Sequence, residues 1–176
     1  MKTFRLATIT AVGLVLAACG QKQDESTVQP VADEPTCSAK AVSDVQAVEI
    51  TPGLVSRTLT TGCGNAATAG QIAVVHYTGW LLDSEAPNRR GNKFDSSVDR
   101  NQHFEFPLGG GRVIKGWDQG VVGMTIGEVR ELTIAPEMAY GDRDIGVIPP
   151  GSTLIFEVEL FDLKSAQPPA EPPTTE

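Results

Sequence analysis

Aromatic residues are few in this chain of 176 residues, and their placement constrains its fold more than any other feature. It has only ten Phe, Trp and Tyr. Tyr77, Phe94, Phe104, Trp117, Tyr140 and Phe156 all fall in or next to a series of short segments: 75–79 (VHYTG), 94–97 (FDSS), 113–117 (VIKGW), 139–141 (AYG), 148–151 (IPPG) and 154–158 (LIFEV). Rings this scarce are expected to converge. An apolar pocket walled by them, with a few hydroxyls and one carboxylate, suits a flat apolar ligand. Any isolated Phe in such a set is more simply read as core packing. Tyr77, Asp95, Trp117 and Tyr140 weigh against that reading, because polar tips gathered in an apolar site need partners or ligands.

Strand signals dominate the middle of the chain. Leu154, Phe156, Val158 and Leu160 alternate with the outward Glu157 and Glu159, a period of two. Leu132 and Ile134 do the same within 129–135, and Phe104 and Phe106 flank Glu105. Residues 71–82 form a longer strand, nearly continuous in apolar residues. Only 113–121 reads as a short helix, with Val113, Ile114, Trp117 and Val121 on one face. Gly116 and Gly120 weaken that helix, and Gly123 and Gly127 fit the turns that end it. Several strands and one helix imply a single α+β domain over 53–164, with the helix packed across one face of a sheet.

The order and spelling of these segments resemble the FKBP-type peptidyl-prolyl cis-trans isomerases, the macrolide-binding immunophilins, from about Gly53 to Lys164. The resemblance implies a twisted, half-open antiparallel sheet wrapped around the short helix, with the pocket between them. It implies isomerisation of X–Pro bonds in proline-containing polypeptides without metal or cofactor, and inhibition by macrolides such as rapamycin. It assigns Tyr77, Asp95, Trp117 and Tyr140 to catalysis, and Phe94, Arg100, Phe104, Val113, Ile114, Ile148 and Phe156 to substrate binding. Trp117 would lie under the proline ring, with the Ile114 N–H and Tyr140 hydroxyl bonding substrate carbonyls. Asp95 would sit beside the rotating amide, oriented by Tyr77 and Arg100. It could equally cap the turn at Ser96-Ser97, and the two roles are compatible.

Two stretches depart from the family pattern. Residues 84–93 are longer than the usual hairpin and polar, with Arg89 and Arg90 adjacent, either reaching a partner or forming tolerated surface. The loop 141–147 (GDRDIGV), which overhangs the pocket in the family, is about a residue shorter than the common form and is charged.

The chain ends speak of the cell envelope. Lys2, Arg5 and the apolar stretch from Leu6 to Leu16 read as a signal peptide, 1–18. The segment 16–19 (LAAC) resembles the bacterial lipobox, implying a lipidated Cys19. The plainer alternative is an ordinary secretory cleavage near Ala18. Gly20 after the cysteine, where an Asp would retain a lipoprotein at the inner membrane, points to the outer membrane, facing the periplasm. Residues 19–52 are then a lipidated, flexible tether and 165–176 a Pro-rich disordered tail. With Cys19 lipidated, Cys37 and Cys63 remain as a pair in an oxidising compartment, bonded or left as two thiols. About 33 residues separate Cys19 from Gly53 and include Pro30, Pro35 and Pro52, leaving little room for a dimerising helix; a monomer is expected.

Composition and motif searches exclude other chemistries. Losing Lys2 and Arg5 turns 14 basic against 22 acidic residues into 12 against 22, a formal −10 that repels phosphate backbones and argues against nucleic acid. His76 and His103 lack the spacing of a zinc site, and His103 reads as the edge of a strand. Gly109–Gly111 lacks the Gly-Lys-Ser/Thr ending of a phosphate loop and reads as a turn. Two rivals to the isomerase are a non-catalytic module gripping proline segments and a structural envelope lipoprotein docking through 84–93.

Overall fold

The computed structural model describes residues 40–165. Eight strands form one antiparallel sheet: β1 (Lys40–Ala41), β2 (Ala47–Thr51), β3 (Leu54–Thr61), β4 (Gln71–Leu82), β5 (Arg90–Ser96), β6 (Phe104–Pro107), β7 (Val129–Ile134) and β8 (Leu154–Ser165). Their order is β1-β3-β7-β8-β4-β5, with β2 also on β3 and β6 also on β4. One helix, α1 (Lys115–Gly120), packs across the sheet. This is the expected open sheet around a single short helix.

The long pair β4–β8 is the spine, running from Gln71 opposite Ser165 to Leu81 opposite Leu154. The other edge of β4 is shared, β6 pairing with residues 72–75 and β5 with 78–82. The turn between them is thereby held beside Tyr77. The inner face stacks Leu132 opposite Phe156 and Ile134 opposite Leu154, all buried.

Helix α1 presses against that face, and its two glycines make this possible. A Cβ on Gly116 would lie 2.5 Å from the Ile134 side chain, and one on Gly120 would lie 2.7 Å from Leu132. The glycines that weaken the helix in isolation are what allow its close packing. Its C-terminal end is held by Arg130, whose Nη1 donates to the carbonyls of Gly120 (2.9 Å) and Val122 (3.3 Å) while the guanidinium pairs with buried Glu128 at 2.7 Å. Val113 and Ile114 are not helical as expected. Ile114 is the extended N-cap (φ −60°, ψ 149°), and its carbonyl accepts from Trp117 and Asp118.

The folded unit also starts before Gly53. Strands β1 and β2 lie within the stretch read as tether, paired on β3 and turned back through Gly53 at φ +82°. Exposed Val48 and Ile50 gave them no buried face to read. At the other end Ser165, assigned to the tail, closes β8. The signal peptide, Cys19, Cys37 and residues 166–176 lie outside the described residues.

The polar 84–93 stretch forms a 3-10 turn (Pro87–Arg89) and the first half of β5. Its Arg90 points at the sheet's outer face. Glu131 and Glu157 stand directly opposite each other on β7 and β8, a repulsive arrangement. Arg90 Nη2 relieves it by bonding both, at 2.9 and 2.7 Å, with its guanidinium 4.4 Å from the Trp80 ring. Arg57 and Arg89 also approach Glu131, which is only 3% exposed. The paired arginines thus belong to the fold's own charge network.

Replacing a helical Gly with Ala ordinarily favours the helix by about 1 kcal/mol. Gly116→Ala is expected to do the opposite, lowering unfolding free energy in urea by about 1–3 kcal/mol through overpacking. A raised urea midpoint would contradict the close-packing account.

Candidate active site

A cavity of about 810 Å³ opens between α1, the sheet and the loop following β7. Trp117, 4% exposed, forms its floor. The indole meets Tyr77 (5.0 Å, 85°), Phe156 (5.2 Å, 86°) and Phe104 (5.9 Å, 78°) edge to face, and Phe106 at 5.5 Å. Such pairs add about 0.5–1.5 kcal/mol each beyond burial and fix ring orientation. Gly79 completes the wall by absence: a Cβ there would sit 2.6 Å from the Phe94 ring and 2.8 Å from Phe156. Without it, Phe94 packs edge-on to Phe156 at 5.5 Å.

One polar triad interrupts the apolar wall. Tyr77 Oη donates to Asp95 Oδ2 at 2.5 Å, Arg100 Nη1 donates to Asp95 Oδ1, and Arg100 Nη2 donates to Tyr77 Oη at 3.0 Å. Burial pushes the Tyr77 phenol above its ordinary value, and the adjacent carboxylate adds to the rise. Burial also pulls Asp95 upward, but the bonds from Tyr77 and Arg100, with the guanidinium charge, outweigh it and hold the carboxyl below its usual range. The Asp95 carboxylate thus answers Tyr77 and Arg100 and also takes a bond from the Ser96 backbone N–H at the start of the turn. In the following turn Ser96 Oγ accepts from the Asp99 N–H at 3.3 Å, and Ser97 Oγ accepts from the Tyr77 N–H at 2.8 Å.

Three donors on residues lining the pocket remain open. Among the described residues the Ile114 N–H and the Tyr140 hydroxyl donate to nothing, and the buried Trp117 Nε1–H also lacks an acceptor. Buried polar groups without partners are uncommon, and in a cleft they mark positions a ligand can satisfy.

Of the residues singled out from the sequence, Tyr77, Phe94, Asp95, Phe104, Val113, Ile114, Trp117, Tyr140, Ile148 and Phe156 all line this cavity. Arg100 does not; it reaches the site only through Asp95 and Tyr77. Sequence reading passed over Asp118, whose carboxylate accepts from the N–H groups of Gly109 (3.2 Å) and Gly111 (2.7 Å) and ties that turn to α1. The signal was there: a triple-glycine turn exposes amides that need an acceptor. It also passed over Arg112 and Lys115 on the rim, while Arg143, Ile145 and Val147 belong to the charged loop 141–147 already singled out. His76 and His103 stack at 4.1 Å beside β6, a pairing the spacing did not reveal.

A model of the FKBP-type peptidyl-prolyl cis-trans isomerases matches residues 63–161. The chain is 47% identical over 132 residues to peptidyl-prolyl cis-trans isomerase FPR2 of Saccharomyces cerevisiae, covering 74% of this chain and 90% of that protein. It is 52% identical over 110 residues to an FK506-binding protein of Neisseria meningitidis serogroup B, covering 62% and 94%. The crystal structure of FkpA from Escherichia coli is similar with a TM-score of 0.60 and 37% identity, covering 72% of this chain and 54% of that one. The chain thus spans about half the length of FkpA, and 51% of FK506-binding protein 2B of Rhizopus delemar. The chain belongs to the FKBP-type peptidyl-prolyl cis-trans isomerase family, whose enzymes rotate X–Pro peptide bonds.

The triad has a pH signature. A carboxyl held low in the folded state contributes stability fully above its unfolded value of about 3.9, and loses that contribution as pH falls through the lower folded value. The stability of the wild type relative to Asp95→Asn is expected to be flat from about pH 5 to 8 and to fall below about pH 4. Paired thermal melts across that range check this, and a difference independent of pH down to about 2 would contradict it.

Proposed function

We propose that this chain is a peptidyl-prolyl isomerase anchored by lipid at Cys19 in a bacterial envelope, facing the periplasm, where it acts on proline-containing segments of folding envelope proteins. The observation that carries the catalytic reading is the aromatic cavity floored by Trp117, with unengaged donors at Ile114 N and Tyr140 Oη. The 16–19 segment (LAAC) supports the anchor, and Gly20 supports the outer membrane. The disulfide that engages Cys63 supports its pairing with Cys37. The domain works as a monomer, and macrolides of the FK506 type compete for its pocket.

Amide resonance sets a barrier of about 18–20 kcal/mol to rotation, and X–Pro bonds exchange over tens to hundreds of seconds unaided. Planar and twisted amides differ mainly in charge separation, since twisting removes the resonance that polarises the carbonyl and nitrogen. An apolar, water-poor pocket therefore favours the twisted form. The proline ring stacks on Trp117, and flanking carbonyls accept from Ile114 N–H and Tyr140 Oη. The Asp95 carboxylate, fixed by Tyr77 and Arg100, lies along the wall where the rotating carbonyl moves. No proton transfer or covalent bond is needed.

Trp117→Leu keeps an apolar floor but removes the flat surface. It is expected to lower kcat/KM on a Phe-Pro peptide by about tenfold or more, corresponding to at least about 1.4 kcal/mol of transition-state stabilisation. Refolding of a proline-limited client checks the same variant. Unaltered catalysis by folded Trp117→Leu would overturn this use of the pocket. Client holding by a wild type that accelerates no X–Pro exchange would favour a binding module instead.

A further inference from the structure

The described residues carry eleven Lys and Arg side chains, and seven of them form ion pairs. Of the four without a carboxylate partner, Lys40 sits on β1. The other three, Arg112, Lys115 and Arg143, all line the cavity. In a chain of formal charge −8, three of the four cations without an ion-pair partner among the described residues thus stand at one place, the mouth of the pocket.

None of the carboxylates nearby forms an ion pair with these three cations. Asp95 pairs with Arg100 and accepts from Tyr77, while Asp118 lines the cavity with its charge intact, turned to the Gly109 and Gly111 amides. Asp142 and Asp144 flank Arg143 in its loop, but neither pairs with it or lines the cavity, and Asp144 Oδ1 accepts from the Gly146 N–H at 2.8 Å. Arg143 instead donates from Nε to the Tyr140 carbonyl at 3.2 Å, with its guanidinium 5.9 Å from the Tyr140 ring. Arg112 precedes α1 and Lys115 is its first residue, whereas Arg143 comes from the loop after β7, so the three cations approach a bound chain from two sides.

We infer that this pocket selects proline segments bearing Asp or Glu within a few residues of the X–Pro bond. The inference rests on the isomerase reading and names the substrate class of the same site. The proline ring occupies the aromatic floor, while flanking carboxylates meet the rim cations over a low-dielectric wall that focuses their field. Each exposed pair alone is weak, so discrimination comes from the three acting together.

The test uses the full chain and matched Phe-Pro peptides whose flanking residues are Glu, Gln or Lys, with kcat/KM read from exchange spectroscopy. The Glu peptide is expected to exceed the Lys peptide by at least about fivefold at low salt, with Gln between them. Raising salt from about 20 mM to about 500 mM, which shortens the screening length from roughly 20 Å to roughly 4 Å, is expected to shrink the ratio to about twofold or less. In the Arg112→Gln, Lys115→Gln, Arg143→Gln triple variant, with its fold checked by thermal midpoint, the low-salt ratio is expected to approach one. Equal acceleration of Glu and Lys peptides by the wild type, or a ratio untouched by salt and by the triple variant, would overturn the acidic preference and leave the isomerase reading standing. Acceleration of no peptide would overturn both.

Discussion

The site depends on how closely helix α1 approaches strand β7. Gly116 and Gly120 leave no side chain between the helix backbone and Ile134 and Leu132, and Arg130 ties the helix's last carbonyls back to the sheet. Trp117 projects from this pressed-down helix into a ring of aromatic edges from Tyr77, Phe104, Phe106 and Phe156. A helix standing a methyl group further off would lift the indole from those edges and change the depth of the pocket. The six-residue helix is too short to be stable alone, so its position is set by the sheet it packs on.

The polar groups divide into those the protein satisfies and those it leaves open. The triad of Tyr77, Asp95 and Arg100 is internally bonded, and on the outer face Arg57 and Arg90 pair with Glu131 and Glu157. Against that background the free Ile114 N–H, Tyr140 hydroxyl and rim cations stand apart, and all of them border the same cavity. A pocket meant to hold an extended peptide needs this division. Fixed groups keep the wall rigid, and open donors take the substrate's carbonyls.

How much was legible in the sequence follows from how each segment satisfies its polar groups. The apolar run of β4 was read to the residue, 71–82, because apolar residues fill nearly its whole length. The alternation in β8 marked its start at Leu154. Strand β3 escaped notice because Ser56, at a buried position, is satisfied by the Val48 carbonyl, and Thr58 bonds Glu128. Strand β5 escaped for a similar reason, its Arg90 answered by two glutamates from other strands. Val113 and Ile114 carried a helical pattern because they lie just ahead of α1, and as the N-cap Ile114 keeps an N–H that no helical carbonyl can reach. The wall of the site was legible through its rare aromatics. Its rim was not, because an unpaired cation is recognisable only once every other cation's partner is known.

The central claim is that the cavity over Trp117 binds proline and speeds its isomerisation. The direct measurement is two-dimensional exchange NMR on a Phe-Pro peptide with substoichiometric full chain, while the indole N–H signals of Trp117 and Trp80 are followed on the protein. The account predicts cis–trans exchange peaks that appear only with protein, together with a shift of the Trp117 signal and none of Trp80, which lies under Arg90 on the outer face. Exchange peaks with an unmoved Trp117, or a shifted Trp117 without exchange, would contradict it.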